Sequence, residues 1–317
     1  MASEEQYGNI GEGLRVSIEN LYKHNKHLLE QIEDAMKYTP QTNPIVGYQG
    51  VQGSFGEAAA MTYFNESHSR LIQHEEFEDV FEALNQGTID YGIVPIENSS
   101  AGEVLEIYDL MVKHNLYIVG EQVIRVRHNL LGIQGATIEK LQEVYSHPQA
   151  LSQSKEFLKV HRYIHEKAYL NTAMACQFVA QTGDTTKAAI GSKRAAKLYG
   201  LEILKENIHF NDNNFTRFIV LAKNMNITKE CDKISIVFTT SHTSGALYNI
   251  LAHFAYNGLN LLKIQSRPLQ EKTWHYFFFV DIEGNLQDAN VLIALGRVKE
   301  ESKYFKILGN YAQALPE

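Results

Sequence analysis

At Ile45 the spacing of apolar residues changes, and that change limits the possible folds more than any other feature. Before it, Leu14, Ile18, Leu21, Leu28, Ile32 and Ala35 recur at helical spacing, which predicts one amphipathic helix over Leu14–Tyr38. Thr39-Pro40-Gln41-Thr42-Asn43-Pro44 breaks it. After it, short strand-like runs (45–48, 71–73, 91–94, 117–127, 143–145, 188–190 and 215–221) alternate with helical stretches at 55–65, 77–86, 103–114, 149–160 and 172–182. Such alternation predicts an α/β fold with a largely parallel sheet covered on both faces. The extended segment 120–127 is placed to carry the chain into a second lobe, and 201–217 to bring it back. Beyond the polar stretch 224–232, taken as a linker, the order becomes strand 234–239, helix 244–256, strands 259–264 and 274–282, helix 288–299 and strand 304–308. That is βαββαβ, a ferredoxin-like module.

Composition excludes several classes of function. The chain has 317 residues, enough for about two domains with cores of their own. A net charge of −8 with scattered Lys and Arg argues against a nucleic-acid partner. The longest apolar stretches are strand-length, so no membrane span is expected. Residues 1–13 are polar and acidic, unlike a secretory signal, and Cys176 and Cys231 stand far apart, which fits a cytoplasmic protein.

Candidate site residues gather where predicted strands end and helices begin, the usual ligand position of α/β folds. Gly47, Gly50, Gly53 and Gly56 have the wrong spacing for dinucleotide binding, but Ser54-x-x-Glu57 reads as a capping box. Pro95-Ile96-Glu97-Asn98-Ser99-Ser100 stands at the end of the strand at 91–94. Ser146-His147-Pro148-Gln149 opens another helix, with Pro148 at its first position, and Asn171-Thr172-Ala173 caps a third. In Asn214-Phe215-Thr216-Arg217-Phe218, a hydroxyl and a guanidinium are neighbours on a strand, so Thr216 and Arg217 face opposite ways. His147 reads as a positioned structural histidine. No metal is expected.

Taken together, Asn214–Phe218, Pro95–Ser100 and Tyr145–Gln149, over residues 45–310, closely resemble prephenate dehydratase. The resemblance implies a two-lobed catalytic domain of the type II periplasmic-binding-protein kind at 44–223, preceded by a helical extension and linker at 1–43. It gives Thr216 the catalytic role of protonating or hydrogen-bonding the departing hydroxyl of prephenate, with Asn98 and Gln153 beside it. Ser99, Ser146, Thr172 and Arg217 are the implied substrate-binding set, with Arg217 either supplying positive charge or bracing the wall. Glu97 is expected to hold its loop. No cofactor is implied, because the reaction involves no redox step and no carbanion sink. Arogenate dehydratase, acting on the amino analogue, and a non-catalytic amino-acid sensor are the alternatives.

The module at 232–310 resembles an ACT regulatory domain. That implies L-phenylalanine as effector at a subunit interface of a homodimer or homotetramer. The implied effector residues are Gly245, Ala246 and Leu247, at a helix start, and Gln265, Ser266, Arg267 and Pro268, where the family has Glu-Ser-Arg-Pro. Leu14-Arg15-x-x-Ile18-x-x-Leu21 faintly resembles the first helix of a chorismate mutase, but one helix cannot clamp that enzyme's dianion. A vestigial or dimerising helix is the reading kept.

Overall fold

The computed structural model describes residues 26, 28–65, 68–211, 213–269 and 275–316. Leu14, Ile18 and Leu21 of the expected first helix lie outside the described residues, as does Trp274 of an expected strand. Two compact units are present. One takes the described residues up to Pro40 with Asn115–Gly120 and Ala222–Gln313; the other takes Gln41–His114, Glu121–Leu221 and the described residues from Ala314.

Helix α1 (28–37) belongs to the first of these units. The larger unit begins with β1 (Ile45–Gln49), α2 (Phe55–Phe64), β2 (Arg70–His74), α3 (Phe77–Gln86), β3 (Tyr91–Asn98), the short β4 (Gly102–Glu103) and α4 (Leu105–Lys113). β5 (Tyr117–Arg125) then leads to the second lobe. That lobe holds β6 (Asn129–Gly132), β7 (Glu143–Ser146), α5 (Pro148–Gln153), α6 (Lys155–Val160), β8 (His165–Ala168), α7 (Thr172–Thr182), β9 (Lys187–Gly191), α8 (Lys193–Tyr199) and β10 (Glu202–Lys205). β11 (Phe215–Ala222) returns the chain to the first lobe.

The sheets are mixed, which corrects the expectation of a largely parallel one. β1 runs parallel to β2 and β3, but β11 runs antiparallel to β3. In the second lobe β7 is parallel to β8 and β9, while β6 is antiparallel to β9 and β10 to β6. The physical reason is the connection. A strand that follows a crossover helix must lie parallel, whereas β11 arrives after an entire lobe and is under no such rule.

Strands β8 and β10 escaped the sequence reading because they are outer strands, largely exposed and without an apolar run. The predicted helix 149–160 is two helices. Ser154 ends the first, its N–H reaching the carbonyls of Ala150 and Leu151, and begins the second.

The other unit contains β12 (Lys233–Thr239), α9 (Ala246–Tyr256), β13 (Leu261–Pro268), β14 (Tyr276–Glu283), α10 (Ala289–Glu301) and β15 (Tyr304–Tyr311). The βαββαβ order predicts an antiparallel sheet, and the strands lie in the order β13-β14-β12-β15. Ile234, Ile236 and Phe238 alternate onto one face of β12 and pack with Ile250 and Phe254 of α9 and Leu295 and Val298 of α10.

Leu28, Ile32 and Ala35 of α1 join this same core, with Met225 and Ile227. So the stretch read as a linker buries Met225 and Ile227 in this core, and the Ile227 N–H donates to Ala35 O at 3.3 Å. Replacing Ile32 by Ala removes buried methyl groups from a packed core, and is expected to destabilise this unit by about 2–4 kcal/mol. Urea unfolding followed by circular dichroism checks it; an unchanged midpoint would mean that α1 contributes nothing to that core.

Candidate active site

The antiparallel register of β3 and β11 sets Thr216 opposite Asn98 and Arg217 opposite Glu97. Successive side chains of a strand face opposite ways, so the two pairs lie on opposite faces. The polar pair Asn98 and Thr216 is buried.

One amide orders this region. Asn98 Oδ1 accepts from the backbone N–H groups of Ser100 (3.0 Å) and Ala101 (2.9 Å), as expected of an Asn that turns the chain after a strand. Gln149 Nε2, from the second lobe, adds a third donor at 3.3 Å. Its Nδ2 must therefore face the other way, donating to Asn214 Oδ1 (2.9 Å), Phe215 O (3.2 Å) and Thr216 Oγ1 (2.9 Å). Thr216 Oγ1 thus receives a hydrogen bond, and its own proton has no acceptor among the described residues. Ser99 is fully engaged: its hydroxyl accepts from Phe215 N and donates to Asn213 O.

From the second lobe, α5 presents Gln149 and, one turn on, Gln153. The helix starts as the sequence predicts, with Pro148 in its first turn and His147 as the cap, whose Nδ1 accepts from Gln149 N at 3.2 Å. Burial pushes the His147 imidazole down from its usual value, so it stays neutral. Gln153 Oε1 accepts from Asn214 Nδ2 (2.9 Å) and lies 2.7 Å from His128 Nε2, while its own Nε2 has no partner among the described residues. Burial also drives His128 down, to about 4, against the upward pull of its bond to Gln153.

The structure thus brings Asn98, Gln153 and Thr216 into one network and keeps other expected residues out of it. Ser146 is fully buried, and its hydroxyl donates to Ile190 O at 2.7 Å. Thr172 is half-buried in the first turn of α7, after Asn171, which caps that helix by accepting from Met174 N.

Arg217 lies on the far side of β11, bonded to Glu121 (3.0 Å) and Glu97 (2.8 Å). Its charge is therefore neutralised within the wall, and Glu97 is held with it. In the glycine loop, Ser54 caps α2, but the Glu57 carboxylate bonds Gly53 N (2.8 Å) and Arg194 (2.9 Å). Gly53 has φ +86° and packs against Ala195, where a side chain would be strained.

His161 and His165 have the i, i+4 spacing of helical metal ligands, yet His161 ends α6 and His165 opens β8. Among the described residues no three His, Cys, Asp or Glu side chains are grouped to hold a metal. Nor is any helix among them long and apolar enough to cross a membrane.

Asn214, Gln149, His128 and Glu121 were not given roles from sequence. Asn214 and Gln149 lay inside the quoted motifs, whereas His128 and Glu121 carried no local signal.

In the other unit, Gly245 caps α9 with φ +81°, followed by Ala246 and Leu247. Gln265, Ser266, Arg267 and Pro268 end the edge strand β13, and Gln265 Nε2 donates to Ser266 O at 2.9 Å.

Two mixed-sheet lobes joined by two crossing segments define a periplasmic-binding-protein-like domain of type II, with donors from both lobes meeting around Asn98. The family profile described as "Prephenate dehydratase" matches residues 46–226, and the chain belongs to that family. It is 39% identical over 277 residues to arogenate dehydratase/prephenate dehydratase 2 of Arabidopsis thaliana, covering 84% of this chain and 72% of that one. The structure of prephenate dehydratase from Arthrobacter aurescens in complex with L-Phe matches with a TM-score of 0.79 and 28% identity, over 85% of this chain and 90% of that one. A structure titled GqqA, a novel type of quorum quenching acylase, matches with a TM-score of 0.78 and 28% identity, over 85% and 98%.

Arg217→Met should be costly because it leaves Glu121, nearly fully buried, without its cation. The expected loss is about 3–5 kcal/mol, of which Arg217→Met with Glu121→Leu regains most. Thermal and urea unfolding of both variants check this; equal losses in the single and double variants would contradict it.

Proposed function

We propose that this chain is a prephenate dehydratase, converting prephenate to phenylpyruvate, CO2 and water, with Thr216 as the proton donor to the leaving hydroxyl. One observation carries the reading: Thr216 Oγ1 accepts from Asn98 Nδ2 at 2.9 Å while its own proton has no acceptor among the described residues. A hydroxyl that receives a hydrogen bond is a better donor in turn, and burial strengthens both bonds.

In the reaction, the bond to the ring carboxylate breaks and its electron pair enters the ring as CO2 leaves. The C–O bond to the ring hydroxyl breaks on the other side, and that oxygen departs as water. The enzyme must supply a hydrogen bond or proton where negative charge develops on the leaving oxygen, and Thr216 is the group assigned to it, with the net proton replaced from water. Gln153, through its unengaged Nε2, and Thr172, through its hydroxyl, are assigned to hold and orient the substrate. Ser99 and Ser146 shape the loops that hold Asn98 and α5. Arg217 braces the wall, since two carboxylates already share its charge.

No histidine bonds Thr216 among the described residues, so this hydroxyl is arranged to donate a proton rather than to attack as a nucleophile. Thr216→Ala is expected to lower kcat by about 100-fold with the fold intact, and Thr216→Ser to fall between the two. Turnover of prephenate and of arogenate by the same preparation tests the substrate. Wild-type kcat in the alanine variant would remove the role from Thr216, and faster turnover of arogenate would reassign the enzyme.

The same reading makes the βαββαβ unit an ACT domain that binds L-phenylalanine in a dimer or tetramer, in the cytoplasm, and reports it to the catalytic unit. Support comes from the Gly-Ala-Leu helix start and from the similar enzyme whose structure is titled as a complex with L-Phe. Gln265 replaces the usual carboxylate with an amide, removing one charge-assisted bond from the effector site. Gln265→Glu is expected to tighten phenylalanine binding roughly fivefold. Calorimetric titration of both proteins measures it; equal affinities would discard the retuning, and no heat from either would discard the effector.

A further inference from the structure

His128 closes the row of amides that ends on Thr216, and that row has a direction. Asn98 Oδ1 is held by two backbone N–H groups, so its Nδ2 faces Asn214 Oδ1. Asn214 must then turn its Nδ2 to Gln153, whose Oε1 accepts. His128 Nε2 lies 2.7 Å from that same oxygen. Two acceptors cannot face each other at such a distance, so the imidazole carries its proton on Nε2.

No hydrogen bond from a backbone group reaches the side-chain amide of Gln153 among the described residues. Without His128, a half-turn of that amide would set its NH2 against the NH2 of Asn214 and break the row. The ring itself is well placed for such a duty. It is 3% exposed, with Phe55 and His209 edge-on at 6.3 and 6.0 Å, and its backbone N–H donates to His209 Nδ1. Its Nδ1 is buried and meets no partner among the described residues, so protonation there is disfavoured and the ring stays neutral, as its depressed pKa also indicates.

We propose that His128 is a positioning residue: as an Nε2–H donor beside Asn214 Nδ2 it locks the Gln153 amide with Oε1 inward, and so keeps the unengaged Gln153 Nε2 free to meet the substrate. The kinetic consequence rests on the dehydratase reading above; the bond directions do not. Two variants of the full chain separate the roles. His128→Phe fills the space without a donor, and His128→Gln restores an N–H near the same position.

Long-range proton–nitrogen correlation spectra of the wild type are expected to show His128 protonated on Nε2 from pH 5.5 to 8. The Gln153 side-chain amide signal, identified by its absence in Gln153→Leu, is expected to move in His128→Phe and to return close to its wild-type place in His128→Gln. In kinetics, His128→Phe should lose about 10- to 100-fold in kcat with KM changed far less, and His128→Gln should recover most of it. An Nδ1–H tautomer, an unmoved Gln153 signal in His128→Phe, or a glutamine variant as slow as the phenylalanine one would overturn the proposal. Should His128→Phe fail to fold, the wild-type tautomer and the glutamine variant still decide. A wild-type protein that turns over neither prephenate nor arogenate would sink the dehydratase reading instead, and the amide signals would still test the lock.

Discussion

Two backbone N–H groups, those of Ser100 and Ala101, hold Asn98 Oδ1, and the order of the amide network depends on that constraint. A side-chain amide is polar end to end, so fixing its oxygen also fixes its nitrogen. The nitrogen sets Thr216 as an acceptor and Asn214 as the next link, and Asn214 carries the direction across to the second lobe. Turning any one of these amides over would face donor to donor within a buried region, where an unmade hydrogen bond costs about 1–3 kcal/mol. The network is therefore fixed in sense as well as in position.

The opposite face of the same two strands does a different job. Arg217 is gripped by Glu121 and Glu97, and Glu121 Oε1 also accepts from Ala314 N at 3.3 Å. A buried carboxylate needs its cation, and the cation is then unavailable to a substrate. Strand alternation separates the amide network from the ion pairs, one residue apart. The dipeptide Thr216-Arg217 therefore joins an amide network on one face and a pair of carboxylates on the other.

The βαββαβ unit is held together chiefly by apolar burial. Its sheet carries helices α9 and α10 on the face formed by Ile234, Ile236 and Phe238, and α1 adds Leu28, Ile32 and Ala35 to the same core. Those three side chains lie on one stripe of the helix, so tertiary packing of that face helps to stabilise it. Residues 224–232 look like a tether by composition, yet Met225 and Ile227 are buried there. With Cys231 they are the buried apolar side chains of that stretch, too few among polar neighbours for a periodic signal, which explains why it reads as linker.

Local geometry was legible in the amino-acid sequence alone. The switch of period at Ile45 set the α/β alternation, the caps at Ser54 and Asn171 and Pro148 started their helices where expected, and the adjacency of Thr216 and Arg217 already placed them on opposite faces. Each of these follows from backbone geometry within a few residues. Tertiary structure alone decided the antiparallel return of β11, the inward turn of Ser146 onto Ile190 O, and the membership of α1 in the second core. It also decided which groups meet. Asn98 and Asn214 are 116 positions apart, and His128 meets Gln153 only where the chain has folded back within its lobe. No periodicity encodes such a meeting, because hydrogen-bond partners are chosen by distance and direction in space, which are set after the strands have paired and the lobes have closed around them.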